Sequence, residues 1–139
     1  MTLHLEIITP ERIVLKEDVD QIIAPTANGQ ITILPNHINL LTSITPGELI
    51  TKIGGKDQFL AVMGGFLQIA DNNVTILPDF AVLSEEIEIE KAEEAKKRAQ
   101  KLMEEKGTTE EFAEAEALFK RSLLELKVAA RRKHHQTTP

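Results

Sequence analysis

Few residues of this chain are of a type that does chemistry, and their spacing decides what they could do. The 139 residues include no Cys, so thiolate chemistry and a disulfide framework are both excluded. There is no GxxxxGK[ST] loop to cradle phosphate, no HExxH helix for zinc and no GxSxG nucleophile turn. Ser43, Ser84 and Ser122 have no His nearby in sequence to act as a base. The charged and imidazole side chains remain. Glu88, Lys91 and Arg98 fall at helical spacing; on their own they read as solvated helix charges, each pair worth roughly 0.2–0.5 kcal/mol. Arg121, Lys127, Arg131, Arg132 and Lys133 form a basic stretch, favourable at a helix C-terminus and suited to an acidic partner surface. His37 follows Pro35 without a second ligand close by, which predicts a locally satisfied imidazole and no metal site. His134-His135 falls in a tail expected to fray. Met63-Gly64-Gly65-Phe66 has two glycines able to make a tight turn or bulge between apolar side chains.

Two kinds of element must carry these residues. Up to about residue 86 the chain reads as short strands. Leu3, Leu5 and Ile7 alternate with polar neighbours, the period of a half-buried strand. Asn28-Gly29, Gly54-Gly55 and Asp71-Asn72-Asn73 punctuate apolar runs as turns. From Ile87 the grammar changes. No Pro occurs between there and Pro139, and Ile89, Ala92, Ala95, Ala99 and Leu102 form one helical stripe. Gly107 is the expected C′ residue of that helix. Thr108 and Glu111 have capping-box spacing, and Phe112, Ala115, Leu118 or Phe119, Ser122, Leu123 and Leu126 make a second stripe. The short connection predicts an antiparallel hairpin. The expected architecture is an all-β sandwich or barrel over 1–86, followed by an α-helical hairpin over 87–139.

Charge follows the same division. Residues 1–84 carry four basic and nine acidic side chains; residues 85–139 carry twelve and thirteen. No apolar run approaches the roughly 18 residues of a membrane span, which predicts no direct membrane insertion. Met1–Glu6 has neither a basic region nor an apolar signal core. The net charge of −6 and the absence of Trp and Tyr argue against base stacking and a nucleic-acid partner.

Five stretches carry a family resemblance: Gly29-Gln30-Ile31-Thr32-Ile33-Leu34-Pro35-Asn36-His37, Leu40-Leu41-Thr42 with Pro46-Gly47, Met63-Gly64-Gly65-Phe66, Asn73-Val74-Thr75-Ile76-Leu77, and Ile87-Glu88-Ile89-Glu90-Lys91-Ala92. In this order and setting, the chain resembles the epsilon subunit of the bacterial F-type ATP synthase over almost its whole length. The resemblance implies a sandwich of about ten strands and a regulatory two-helix hairpin. It implies a non-catalytic rotor subunit of the central stalk, which couples rotation to proton translocation and restrains ATP hydrolysis through the hairpin. The implied partners are the gamma subunit, the c-subunit ring and, for an extended hairpin, the alpha and beta subunits. The implied location is peripheral, on the cytoplasmic face of the cell membrane. A free-standing ATP-sensing switch is the alternative.

The resemblance also distributes roles. Gln30 and His37 match the segment facing the c ring. Met63, Gly64, Gly65 and Phe66 match a surface toward gamma. Arg121, Lys127, Arg131, Arg132 and Lys133 would contact alpha and beta, with Leu123, Leu126 and Val128 packing on gamma. Some relatives bind ATP through Ile or Leu, Asp, two variable residues, Arg and Ala. Ile87, Glu88, Lys91 and Ala92 match that motif with Glu for Asp and Lys for Arg, while Arg98 and Arg121 match two further basic positions. Glu is a poorer cap than Asp, and Lys is a point charge where Arg is a planar fork. Glu125 stands where relatives can carry Arg. These departures predict ATP binding that is weakened or absent, as a regulatory ligand and not a required cofactor, and leave open whether magnesium accompanies it.

Overall fold

Alternation of apolar and polar residues builds the first part of the chain. The computed structural model describes residues 1–105 and 107–137, with side chains described as far as Arg131. The chain divides into two compact units at Leu83/Ser84. The first holds ten strands: β1 (Leu3–Ile8), β2 (Ile13–Val19), β3 (Gln21–Thr26), β4 (Gly29–Ile33), β5 (Leu40–Ser43), β6 (Gly47–Ile53), β7 (Lys56–Met63), β8 (Phe66–Ala70), β9 (Asn73–Leu77) and β10 (Phe80–Leu83). They form two five-stranded sheets, ordered β2-β1-β9-β8-β5 and β10-β7-β6-β3-β4. The expected sandwich is present. Its core takes the inward residue of each alternation: Leu3, Leu5 and Ile7 from β1, Leu67 and Ile69 from β8, Val74 and Ile76 from β9, opposed by Ile22, Ile33, Leu49, Leu60 and Val62.

The turns follow the glycine and asparagine signals with two adjustments. Gly54 and Gly55 both have positive φ, as do Asp71 and Asn72, which fits the two-residue turns of right-twisted hairpins. The β3–β4 loop is instead Ala27-Asn28, because Gly29 already pairs with Thr26. There only Gly29 adopts positive φ, and the Thr26 hydroxyl donates to its carbonyl at 2.6 Å. Gly64-Gly65 is a corner and not a hairpin turn: β7 belongs to one sheet and β8 to the other. A Cβ on Gly65 would collide with the Leu77 carbonyl oxygen, and one on Gly64 with the Asp79 carboxylate.

The second unit opens with a 3-10 turn at Ser84–Glu86, then α1 (Ile89–Glu104) and α2 (Thr109–Thr137). Helix α1 starts two residues after Ile87. Glu88 is the N-cap, yet its side chain makes no capping bond. Helix α1 ends at a C-cap on Glu105 in extended conformation, and Gly107 has no positive φ, so Gly107 is not the left-handed C′ residue its position suggested. It belongs to the start of α2. The Thr108 hydroxyl accepts from the Glu111 N–H at 3.1 Å, and the Glu111 carboxylate accepts from the Thr108 N–H at 3.3 Å. A Cβ on Gly107 would come within 2.5 Å of that carboxylate, so glycine leaves room for the capping box. Ala92 and Ala99 of α1 and Ala115 and Ser122 of α2 are buried, whereas Ile89, Leu102, Phe112 and Leu123, which the two stripes also include, are exposed.

Candidate functional site

Heptad-like spacing brings one set of charges together between the helices. On α1, Lys91, Ala95 and Arg98 are four and three residues apart; on α2, Leu118, Ser122 and Glu125 repeat that step. The two rows face each other across an open cleft of about 300 Å³, lined by Lys91, Ala92, Ala95, Arg98, Leu118, Arg121, Ser122 and Glu125. Four of the residues singled out in sequence, Lys91, Ala92, Arg98 and Arg121, therefore line one site. Glu88 reaches it indirectly: its carboxylate sits 2.9 Å from the Lys91 ammonium. That hydrogen bond, with the nearby negative charge, holds the Lys91 ammonium above the ordinary lysine range. Ile87 is buried, with 4% of its surface exposed, and does not line the cleft.

Of the remaining lining residues, Ala95, Leu118 and Ser122 were visible in sequence as helix-stripe positions, and Glu125 as a position where relatives can carry Arg. Alanine at 92 and 95 keeps the floor shallow, so the long Lys and Arg side chains stand at the rim. Ser122 does not offer its hydroxyl proton to the cleft, because it donates to the Leu118 carbonyl at 2.8 Å. Glu125 carries the one carboxylate of the lining. Its oxygen accepts from Arg121 Nε at 3.1 Å, and its side chain is only 19% exposed. Three cations against one carboxylate leave a balance of two positive charges, a setting for a polyanion.

The sandwich residues divide differently. Gln30 lies at the start of β4 and His37 beyond its end, so the strand separates them. Gln30 is exposed. His37 donates through Nδ1 to the Ile38 carbonyl at 2.7 Å, which fixes the tautomer and leaves Nε2 as the acceptor of the neutral ring. Met63 and the two glycines are partly buried at the sheet-to-sheet corner, whereas Phe66 is 59% exposed. Phe66 pairs with Leu77 on β9 and with Ser43 on β5. Leu77 and Leu41 are exposed too, at 50% and 69%, and alternation puts all three on the outer face of the sheet. Sequence reading did not join Leu77 and Leu41 to Phe66, because only strand register pairs Leu77 with Phe66 and puts Leu41 opposite Gln68, two residues along β8.

At the basic end, Lys127 and Arg131 are exposed, while the side chains of Arg132, Lys133, His134 and His135 lie outside the described residues. Leu123 is exposed and Leu126 partly so, but Val128 is buried, so in this conformation it has no surface to offer a partner. Among the described residues no group of three or more His, Cys, Asp or Glu could hold a metal, and no helix is long and apolar enough to cross a membrane.

Comparison with known proteins covers both units. Residues 2–84 match the family model described as the beta-sandwich domain of the ATP synthase delta/epsilon chain, and residues 85–130 the one described as its long alpha-helix domain. The chain is 41% identical over 136 residues to the ATP synthase epsilon chain of Herpetosiphon aurantiacus, spanning 98% of this chain and 100% of that one. It is 44% identical over 134 residues to the ATP synthase epsilon chain of Dehalococcoides mccartyi, covering 96% of each. Among solved structures, the fold resembles a chain of the Euglena gracilis mitochondrial ATP synthase, solved as OSCP/F1/c-ring, with a TM-score of 0.64 at 24% identity over 97% of this chain and 81% of that one. It also resembles a chain of the Tetrahymena thermophila mitochondrial ATP synthase central stalk and c-ring, with a TM-score of 0.57 at 19% identity, covering 93% and 97%.

Proposed function

We infer the work of this chain from its family: it belongs to the ATP synthase delta/epsilon chain family, whose two domains account for residues 2–130. It serves as the epsilon-type subunit of an ATP synthase, without catalytic residues of its own. It sits in the central stalk, couples rotation to proton translocation and restrains ATP hydrolysis through the hairpin. The sandwich contacts gamma through the outer-face patch of Phe66, Leu77 and Leu41. Gln30 and His37 contact the c ring, and Arg121, Lys127 and Arg131, together with Arg132 and Lys133, contact alpha and beta. Contact with the cytoplasmic face of the membrane is through these partners.

The hairpin cleft binds ATP as a regulatory ligand. One observation carries this reading: Lys91, Arg98 and Arg121, from two helices, converge on a single open cleft. Binding between α1 and α2 favours the closed hairpin, in proportion to the nucleotide's preference for that state. Occupancy then withholds the basic end of α2 from alpha and beta. The test is reconstitution. Adding this chain to an ATP synthase lacking its own epsilon-type subunit should lower ATP hydrolysis, and a version truncated after residue 86 should restore coupling without inhibition. Hydrolysis left unchanged by the full chain would overturn the inhibitory role. Because the cleft lies within the helical unit, a free-standing ATP switch shares it; co-purification with gamma separates the two, since such a switch needs no partner.

A further inference from the structure

The two sheets end in β2 and β5 on one side and in β10 and β4 on the other. An end strand leaves one row of N–H and C=O groups unpaired, a template for another chain. At seven residues β2 is the longest of these, against four, four and five for β5, β10 and β4. Ile7 pairs with Leu15 but Ile8 with Ile13, and the bulge this makes at Val14 disrupts the edge at that end. From Leu15 to Val19 the pairing is regular, and Glu17 is at its centre. Glu17 stands opposite Leu5, between Leu15 opposite Ile7 and Val19 opposite Leu3. Directly opposed residues share a face, and Leu3, Leu5 and Ile7 belong to the core, so the Glu17 side chain turns inward. Its Oε1 is shielded from solvent and has no hydrogen-bond partner among the described residues. Burial pushes the Glu17 carboxyl above the usual carboxylate range, although the residue as a whole is only partly buried. An inward charge on an end strand keeps its contact with water only while the rim of the sheet stays open.

We propose that Glu17 keeps the β2 edge from pairing with the β2 edge of a second copy of this chain. A two-fold axis through an antiparallel strand pair sets one residue of each copy opposite itself. Centred on the regular stretch, that residue is Glu17. The added strand closes the rim and seals the two carboxylates against each other. Like charges directly opposite are destabilising in any sheet, and here both also lose their water. Other registers close the rim over Glu17 as well, so the barrier does not depend on one alignment. The outer face offers no such barrier. Lys16 and Asp18 lie there with side chains 61% and 68% exposed, held by Glu6 and His4 of β1, and they stay wet when a strand is added. Valine at position 17 would instead join Leu15 and Val19 in one apolar row and make the edge adhesive.

The experiment is sedimentation velocity of the full chain over a wide concentration range, with wild type, Glu17→Val, Glu17→Gln and Asp18→Asn. Wild type should sediment as a monomer throughout. Glu17→Val should move toward twice the monomer mass as concentration rises. Glu17→Gln keeps the shape without the charge and should follow at higher concentration, because an amide is easier to seal in than a carboxylate but harder than a methyl group. Asp18→Asn changes the net charge equally from the outer face and should stay monomeric. Hydrogen exchange locates the contact: amides between Leu15 and Val19 should slow as the Glu17→Val dimer forms. If Glu17→Val does not fold by circular dichroism, Glu17→Gln decides. Folded Glu17 variants that stay monomeric at every concentration overturn the proposal. So does a wild type that dimerises with β2 protected, association of Asp18→Asn equal to that of Glu17→Gln, or a variant dimer in which β2 exchange is unchanged.

Discussion

Arg121 and Glu125, one turn apart on α2, are joined by a hydrogen bond from Nε to Oε1 at 3.1 Å, and both line the cleft between the helices. The pair ties one cation of that lining to its single carboxylate. Its stabilising value is small, because Arg121 is half exposed and solvent-exposed pairs at this spacing contribute about 0.3–0.5 kcal/mol. Arg121→Ala should therefore leave the chemical denaturation midpoint nearly unchanged while weakening ATP binding about tenfold or more, as expected for losing a charge-assisted contact. A large loss of stability with ATP affinity retained would mean that Arg121 is structural.

The start of α2 offers a test of local structure. Thr108 and Glu111 cap it reciprocally, and such a cap is worth about 1 kcal/mol. Thr108→Ala should speed hydrogen exchange at the Glu111 and Phe112 amides, while exchange in the sandwich stays as it was. Uniform exchange throughout α2 in both proteins would show that the helix start is held by packing instead.

The capping box was legible in sequence because it depends on residues three apart, and the core faces of the strands were legible because alternation has one period. The sandwich corner and the exposed patch were not. Gly64-Gly65 looks like any hairpin turn until strand pairing assigns β7 and β8 to different sheets. Leu77 joins Phe66 only through register. Gly107 misled because the helix end and the next cap lie within a few residues of each other, and a glycine there serves either. In the cleft, the charged residues were found one helix at a time; their convergence depends on how the two helices are rotated toward each other, which no single stripe determines.

That corner makes a sharp contrast between glycines. Gly54 has positive φ and open space around its missing side chain; Gly65 has positive φ and the Leu77 carbonyl and Pro78 Cα in the way. Gly54→Ala should cost only the left-handed penalty of about 1–2 kcal/mol. Gly65→Ala adds a collision with backbone and should cost more than ~3 kcal/mol or prevent folding. Urea denaturation of both variants decides this, and equal costs would mean that the corner relaxes freely.

His4 should make the β1–β2 edge sensitive to pH. Its Nδ1 lies 3.0 Å from Asp18 and its Nε2 3.4 Å from Glu6, with Lys16 also 3.6 Å from Glu6. Hydrogen bonds to Asp18 and then Glu6 raise its pKa above the ordinary 6.5. A raised folded-state value means that the imidazolium contributes stability fully below the unfolded pKa, and that this is lost as pH rises through the folded one. The stability difference between wild type and His4→Gln should then shrink from pH 6 to pH 8. An NMR titration of the His4 ring should give an apparent pKa above 6.5; a value at or below it would exclude the clamp.

The outer-face patch bears on assembly. Phe66 and Leu77 are paired across strands and both are at least half exposed, with Leu41 on the same face, so this sheet turns apolar surface to solvent at the site proposed for gamma. A cross-strand apolar pair is worth about 0.2–1 kcal/mol, so Phe66→Ser should leave the sandwich folded and its circular dichroism unchanged. If gamma covers the patch, the same substitution removes an aromatic anchor from an interface core, where such truncations cost about 2 kcal/mol or more. Binding to gamma, measured by surface plasmon resonance, should then fall by more than tenfold, chiefly through faster dissociation. A control at an exposed polar position of the other sheet, Lys56→Ser on β7, should change it little. Unaltered gamma binding by the folded Phe66→Ser protein would move the interface off this face and leave Leu41, Phe66 and Leu77 without the partner assigned to them.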